Sequence, residues 1–105
     1  MSILFTPIHI GPIELRNRFV RSATNECLAS EDNRLTEEYY NVYERLAKSG
    51  VGLIITGNYY VNSIGRAADK VLVIESDDVI DDLRKLTSIV HGYGAKIFGS
   101  ITHSG

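Results

Sequence analysis

The chain has 105 residues, of which 44% are hydrophobic and 23% charged, and a formal net charge of -2, a composition that excludes a disordered or low-complexity polypeptide and allows one domain at most. Both signs of charge are mixed along it, so no basic face calls for nucleic acid. Cys27 is the single cysteine, which excludes an internal disulfide and a multi-cysteine metal site; no apolar run is long enough for a bilayer and no signal peptide opens the chain, so the expectation is a cytoplasmic protein without membrane contact.

Two short alternating segments come first, Ile8-His9-Ile10 and Ile13-Glu14-Leu15, joined through Gly11-Pro12, and they predict a hairpin. A strand follows near 18–23 and turns small and polar through Ser22-Ala23-Thr24-Asn25. Arg21 lies inside it and must either pair or reach solvent, a structural ion pair being the favoured reading, because an unpaired buried guanidinium is very costly. Glu26 to Leu35 reads as a polar loop, with Cys27 as a free thiol. Thr36 then offers an N-cap, with Glu37 and Glu38 in the first turn. Tyr39, Val42, Tyr43, Leu46 and Ala47 recur at three- and four-residue spacing, predicting a helix near 36–48 that stops at Lys48 and Gly50.

The continuous apolar run near 51–56 reads as a strand covered on both faces. Residues 58–76 form a long connection that contains Asn62-Ser63-Ile64-Gly65-Arg66, a length that is often functional. Ser76 caps a second helix near 77–91, whose stripe is Ile80, Leu83, Leu86, Ile89 and Val90 and whose end is marked by Gly92 and Gly94. A third strand runs near 96–101.

Hairpin, strand, helix, strand, helix, strand is the alternation of an α/β fold with a parallel sheet. Parallel strands bring their polar ends to one rim: Ser22, Thr24, Asn25, Thr56, Asn58, Ser100, Thr102 and His103, with glycines at 57, 99 and 105. These are neutral hydrogen-bonding groups, suited to a planar or polar cofactor more than to acid/base hydrolysis. His103 reads either as a base or ligand or as a structural hydrogen-bonding residue. No paired carboxylate, nucleophile elbow, P-loop or dinucleotide fingerprint is present.

Three stretches carry a family resemblance: Leu15 to Thr24, Tyr39 through Gly57, and His91 to Phe98, with Leu4-Phe5-Thr6-Pro7 and Ile10-Gly11 ahead of them. They resemble, in order and spacing, the amino-terminal part of the Old Yellow Enzyme family of NADH:flavin oxidoreductases. The resemblance implies that residues 1–105 are a partial FMN-binding domain, the N-terminal portion of a (β/α)8 TIM barrel. It implies FMN as cofactor, NADH or NADPH as reductant, and an activated alkene or similar small-molecule acceptor. It also places Ala23, Thr24 and Asn25 against the flavin, Gly57 and Asn58 near its carbonyl, Ser100 at its pyrimidine edge, and His103 on the substrate side or in a structural role. Relatives often carry Thr or Cys where Asn25 stands and Gln where Ser100 stands, and the shorter serine is expected to weaken flavin binding.

A whole barrel takes about 250 residues, and three strands and two helices supply only its beginning. The expectation is therefore a segment inactive by itself, without catalytic or metal-binding residues of its own, completed by the remainder of the barrel or by another copy of the chain. The alternative is a non-catalytic α/β binding or assembly module derived from such a barrel.

Overall fold

The computed structural model describes residues 2–65 and 69–104. The hairpin forms where the alternation places it, with β1 (Ile8–Ile10) antiparallel to β2 (Ile13–Leu15) and Gly11 at a φ of 56° that suits glycine. Three strands then make a parallel sheet in the order β3 (Val20–Arg21), β4 (Leu53–Tyr60), β5 (Lys96–Thr102). Two helices connect them, α1 (Glu37–Lys48) and α2 (Ile80–Gly92).

Helix α1 starts where its cap is. The Thr36 side chain accepts from the Tyr39 N–H, and Glu37 and Glu38 sit beside the positive end of the helix dipole. Its buried residues are Tyr39, Tyr40, Tyr43 and Ala47, while Val42 and Leu46 pack half-buried around them. Leu86 and Val90 of α2 and Ile54 of β4 join the same core. Ser76 caps as expected, but it begins a 3-10 turn over Asp77–Val79, and the α-helix proper starts at Ile80.

The strands depart from the sequence reading in length. β3 keeps only two residues, and β4 runs on to Tyr60 instead of ending at Thr56. Gly57 and Asn58 read as strand terminators because both are depleted in sheets. Burial of Tyr59 and Tyr60, 5% and 2% exposed, carries the strand past them. The long connection shortens accordingly, and Val71, Leu72 and Val73 return to the core as Val73 bridges Tyr60 in parallel. Arg66 of that connection lies outside the described residues.

The segment from Glu26 to Leu35 is also less of a free loop than its polarity suggests. Ala29 and Leu35 are buried and bridge one another. Asn33 clasps the incoming segment with both ends of its amide, donating to the Val73 carbonyl and accepting from the Val73 N–H, each at 2.8 Å. Arg34 donates twice to Asp82 at the start of α2, at 2.9 and 2.8 Å, and Asp82 Oδ2 also accepts from the Leu35 N–H at 3.0 Å.

Arg16 closes the opposite end of the sheet. Its guanidinium donates to the carbonyls of Ala47 and Val51 at 3.0 Å and to that of Tyr93, joining the C-terminal ends of both helices to the start of β4. A cation suits the negative end of two helix dipoles. Asn17 adds a bond to the Gly50 carbonyl at 2.6 Å. Among the described residues, no helix is long and apolar enough to cross a membrane.

The Arg34 hydrogen bond holds the Asp82 carboxyl below its ordinary pKa, more than burial raises it. The folded state therefore binds that proton less readily than the unfolded chain, so Asp82 contributes stability above the ordinary carboxylate range and loses it as pH falls below about 4. Asp82→Asn is expected to flatten the acid limb of a stability-against-pH curve measured by urea unfolding. Asp82→Ala, which also leaves the buried Leu35 N–H unpaired, is expected to cost about 1–3 kcal/mol at neutral pH.

Candidate functional site

The rim takes its form from what happens to β4 once its first neighbour stops. β3 pairs with β4 only through Val20 and Arg21, opposite Leu53 and Ile54, so β4 has no strand on that side from Thr56 until Tyr60, where the 72–74 segment takes the place of β3. There β4 bulges: Ile55 faces Phe98 and Asn58 faces Ser100, which sets Thr56 and Gly57 against the single Gly99. A bulge and a lost neighbour leave N–H groups without ladder partners, and such groups need other acceptors when buried.

Side chains supply them. The Gly57 N–H donates to the Tyr43 hydroxyl at 3.2 Å, the Asn58 N–H to Asn25 Oδ1 at 2.8 Å, and the Ser100 N–H to Thr56 Oγ1 at 3.0 Å. Ser100 Oγ donates to Asn58 Oδ1 at 3.3 Å. Asn25, Asn58 and Ser100 thus meet across the ends of three strands.

Behind this layer lies an ionic one. Tyr43 donates its hydroxyl to Glu26 Oε1 at 2.9 Å, and Arg21 donates to Glu26 Oε2 at 3.0 Å, the two charged side chains being only 17% and 6% exposed. Arg21 also reaches the Ile55 carbonyl at 3.0 Å, which answers the demand for a partner inside the strand. Burial works against its charge, but the hydrogen bond to Glu26 and the neighbouring charges outweigh it and the guanidinium pKa is raised. Burial likewise raises the Tyr43 pKa, so its hydroxyl keeps its proton at neutral pH. Tyr43 stacks on Tyr39 at 4.7 Å, and the Tyr39 hydroxyl shares a 2.7 Å hydrogen bond with that of Tyr59.

Of the rim residues named from the sequence, Ala23, Thr24 and Asn25 are exposed beyond the end of β3, and Asn58 and Ser100 are half-buried. Gly57 and Asn58 both lie inside β4, with Gly57 buried, which corrects their expected place after the strand. A Cβ on Gly57 would stand 2.7 Å from the Thr24 carbonyl oxygen and 3.1 Å from Asn25 Cα. His103 is exposed and its ring lies where a Cβ on Gly65 would be, while the Ser104 N–H donates to the Gly65 carbonyl at 2.9 Å. Gly105 lies outside the described residues.

Glu26 and Tyr43 escaped the sequence reading, one as part of a polar loop and the other as one more residue in a helix stripe. Arg21 stands out in the sequence only as a charge in need of a partner. Glu26 standing five positions after it was the available signal. Cys27 is an exposed free thiol, and no cluster of His, Cys, Asp or Glu among the described residues has the form of a metal site. Neutral amides and a hydroxyl suit the edge of a planar ring that carries carbonyl and N–H groups.

Residues 3–105 match the model of a protein family described as NADH:flavin oxidoreductase / NADH oxidase. The chain is 40% identical over 105 residues to the NADPH dehydrogenase of Bacillus subtilis, a match covering 97% of this chain and 30% of that protein. It is 39% identical over 104 residues to the N,N-dimethylglycine/sarcosine dehydrogenase of Chromohalobacter salexigens, covering 97% of this chain and 15% of that protein. The crystal structure of Old Yellow Enzyme from a Pichia species superposes with a TM-score of 0.89 at 26% identity, over 97% of this chain and 26% of that one. The chain therefore spans less than a third of each of these relatives. Its hairpin, three parallel strands and two helices have the fold of the N-terminal portion of a (β/α)8 barrel.

Because the segment ending in Thr24 and Asn25 lies directly on the bulge, Gly57→Ala is expected to push the two apart and to destabilise the fold by about 1–3 kcal/mol, measured by urea unfolding. An unchanged midpoint would mean that the Thr24 carbonyl has room to retreat.

Proposed function

The chain belongs to the NADH:flavin oxidoreductase / NADH oxidase family, and from that premise we propose that it forms the flavin-facing N-terminal part of a barrel that passes hydride from NADH or NADPH through FMN to a small-molecule acceptor such as an activated alkene. The observation that carries the reading is the meeting of Asn25, Asn58 and Ser100 at the strand ends, which is where barrels of this type place their sites. Bound there, FMN supplies the two-electron chemistry. The chain's own residues bind and orient it. The exposed backbone at Ala23 and Thr24 offers a surface for the ring, and Asn25, Asn58 and Ser100 offer hydrogen bonds to its polar edge, with Gly57 keeping the wall thin. His103 stands at the substrate-side end of β5.

Both flanks of the sheet support completion by more protein, either the remainder of the barrel or another copy of the chain. Beside β3 an open groove of about 710 Å³ is lined by Phe5, Phe19, Val20, Leu46 and Val51 among others. Beside β5 a second, of about 370 Å³, is lined by Ile74, Val79, Leu83, Ile97 and Ile101 among others. Apolar surface of this kind drives association in water. Isolated copies of residues 1–105 are expected to self-associate as concentration rises, measured by sedimentation velocity; a monomer at all concentrations would count against the flanks being interfaces.

The flavin reading is tested by purifying the full-length protein that contains this segment and recording its visible spectrum. Bound FMN is expected; colourless protein with no affinity for added FMN would favour the binding or assembly module. In the flavin-loaded protein, Ser100→Gln restores a longer amide at the ring edge and is expected to tighten FMN binding about five- to tenfold, the equivalent of one hydrogen bond. Unchanged affinity would show that Asn58, already bonded to Ser100, serves the same edge.

A further inference from the structure

We infer that Glu26 and Tyr43, held from behind by Arg21, are positioning residues that set the backbone of Gly57 and Asn58 where a ligand meets it. The ligand's identity rests on the flavin reading above; the geometry does not. Glu26 is the joint between two walls. It directly follows Asn25, whose side chain accepts from the Asn58 N–H, and its two oxygens are divided between Tyr43 and Arg21. A carboxylate bound in this way only accepts, so the one hydroxyl hydrogen of Tyr43 goes to Glu26 and its oxygen accepts from the Gly57 N–H at 3.2 Å and, more weakly, from Arg21 at 3.4 Å.

Tyr43 has no freedom to do otherwise. It is wholly buried, stacked on Tyr39, and the Arg21 guanidinium lies 5.6 Å from its ring centre. The walls also touch without slack: the position of a Cβ on Gly57 is 3.0 Å from Glu26 Oε2 and 2.7 Å from the Thr24 oxygen. Movement of the Glu26 carboxylate would shift the strand-end segment and the bulge together. Tyr39 supplies the internal comparison, since it is also buried and its hydroxyl is bonded to that of Tyr59, so that it meets the bulge only through its neighbour Tyr43.

The test uses Tyr43→Phe, Glu26→Gln and Tyr39→Phe in the full-length protein, with amide hydrogen exchange and FMN titration as readouts. Tyr43→Phe is expected to speed exchange at Gly57 and Asn58 about five- to tenfold and to weaken FMN binding by a similar factor, while Tyr39→Phe, which touches the bulge only through Tyr43, has a clearly smaller effect on both. Glu26→Gln keeps the shape of the joint without its charge and is expected to act in the same direction, so it decides the matter if Tyr43→Phe fails to fold. Equal effects of the two tyrosine variants on exchange would reduce Tyr43 to core packing and overturn the inference. Absence of FMN binding by the unmodified protein would overturn the flavin reading alone, and the exchange comparison would then decide this one.

Discussion

A backbone N–H that leaves a β-ladder inside a protein must find another acceptor, and much of this structure is organised around meeting that demand at three consecutive sites on the rim. β3 stops early and β4 carries an extra residue, so Gly57, Asn58 and Ser100 lose regular pairing. Their donors are taken by a tyrosine from α1, an asparagine from the segment after β3, and a threonine within β4 itself. Each of those side chains is therefore committed to the backbone before any ligand arrives. The rim is irregular in its strands and ordered in its hydrogen bonds.

The two ends of the sheet divide their work. At the lower end Arg16 binds three carbonyls from three elements, and Asn17 binds a fourth. A planar fork of donors can do this and a lysine cannot, because the ammonium presents its hydrogens from one point. The upper end gives up regular pairing and carries the small polar residues. Barrel enzymes divide stability from chemistry along the strand axis, and the division of hydrogen bonding between the two ends of this sheet runs along the same axis.

How much of this could be read from sequence depends on how local the cause is. The cap and stripe of α1, most of the stripe of α2, and the hairpin come from neighbours a few residues apart and form where periodicity places them, whereas the start of α2 moves to Ile80 behind a 3-10 turn and Ile80 itself stays exposed. The bulge in β4 was misread as an ending, because glycine and asparagine signal a break whether the strand stops or merely buckles. Asn33 reaching Val73, Arg34 reaching Asp82 and Tyr43 reaching Gly57 had no local trace, since each pairs residues that meet only after the crossovers are made. The Glu26 to Leu35 segment reads as solvated for the same reason, since Asn33 and Arg34 spend their side chains on partners some forty residues or more away. The gathering of Asn25, Asn58 and Ser100 on one side of the sheet is legible, whereas the place of Asn58 inside β4 and the hydrogen bonds that join the three are not.

Asn25 carries one consequence of this arrangement further. A carboxamide is two-faced, able to accept at oxygen and donate at nitrogen, and an asparagine in a site ordinarily turns to suit whatever it meets. Here the Asn58 N–H holds the oxygen of Asn25, and a backbone N–H can only donate, so the amide cannot be reversed without leaving that N–H unanswered. The nitrogen is the end that Asn25 has left to present. The protein has in effect polarised a neutral side chain, so that at this point the rim offers a donor without using any charge.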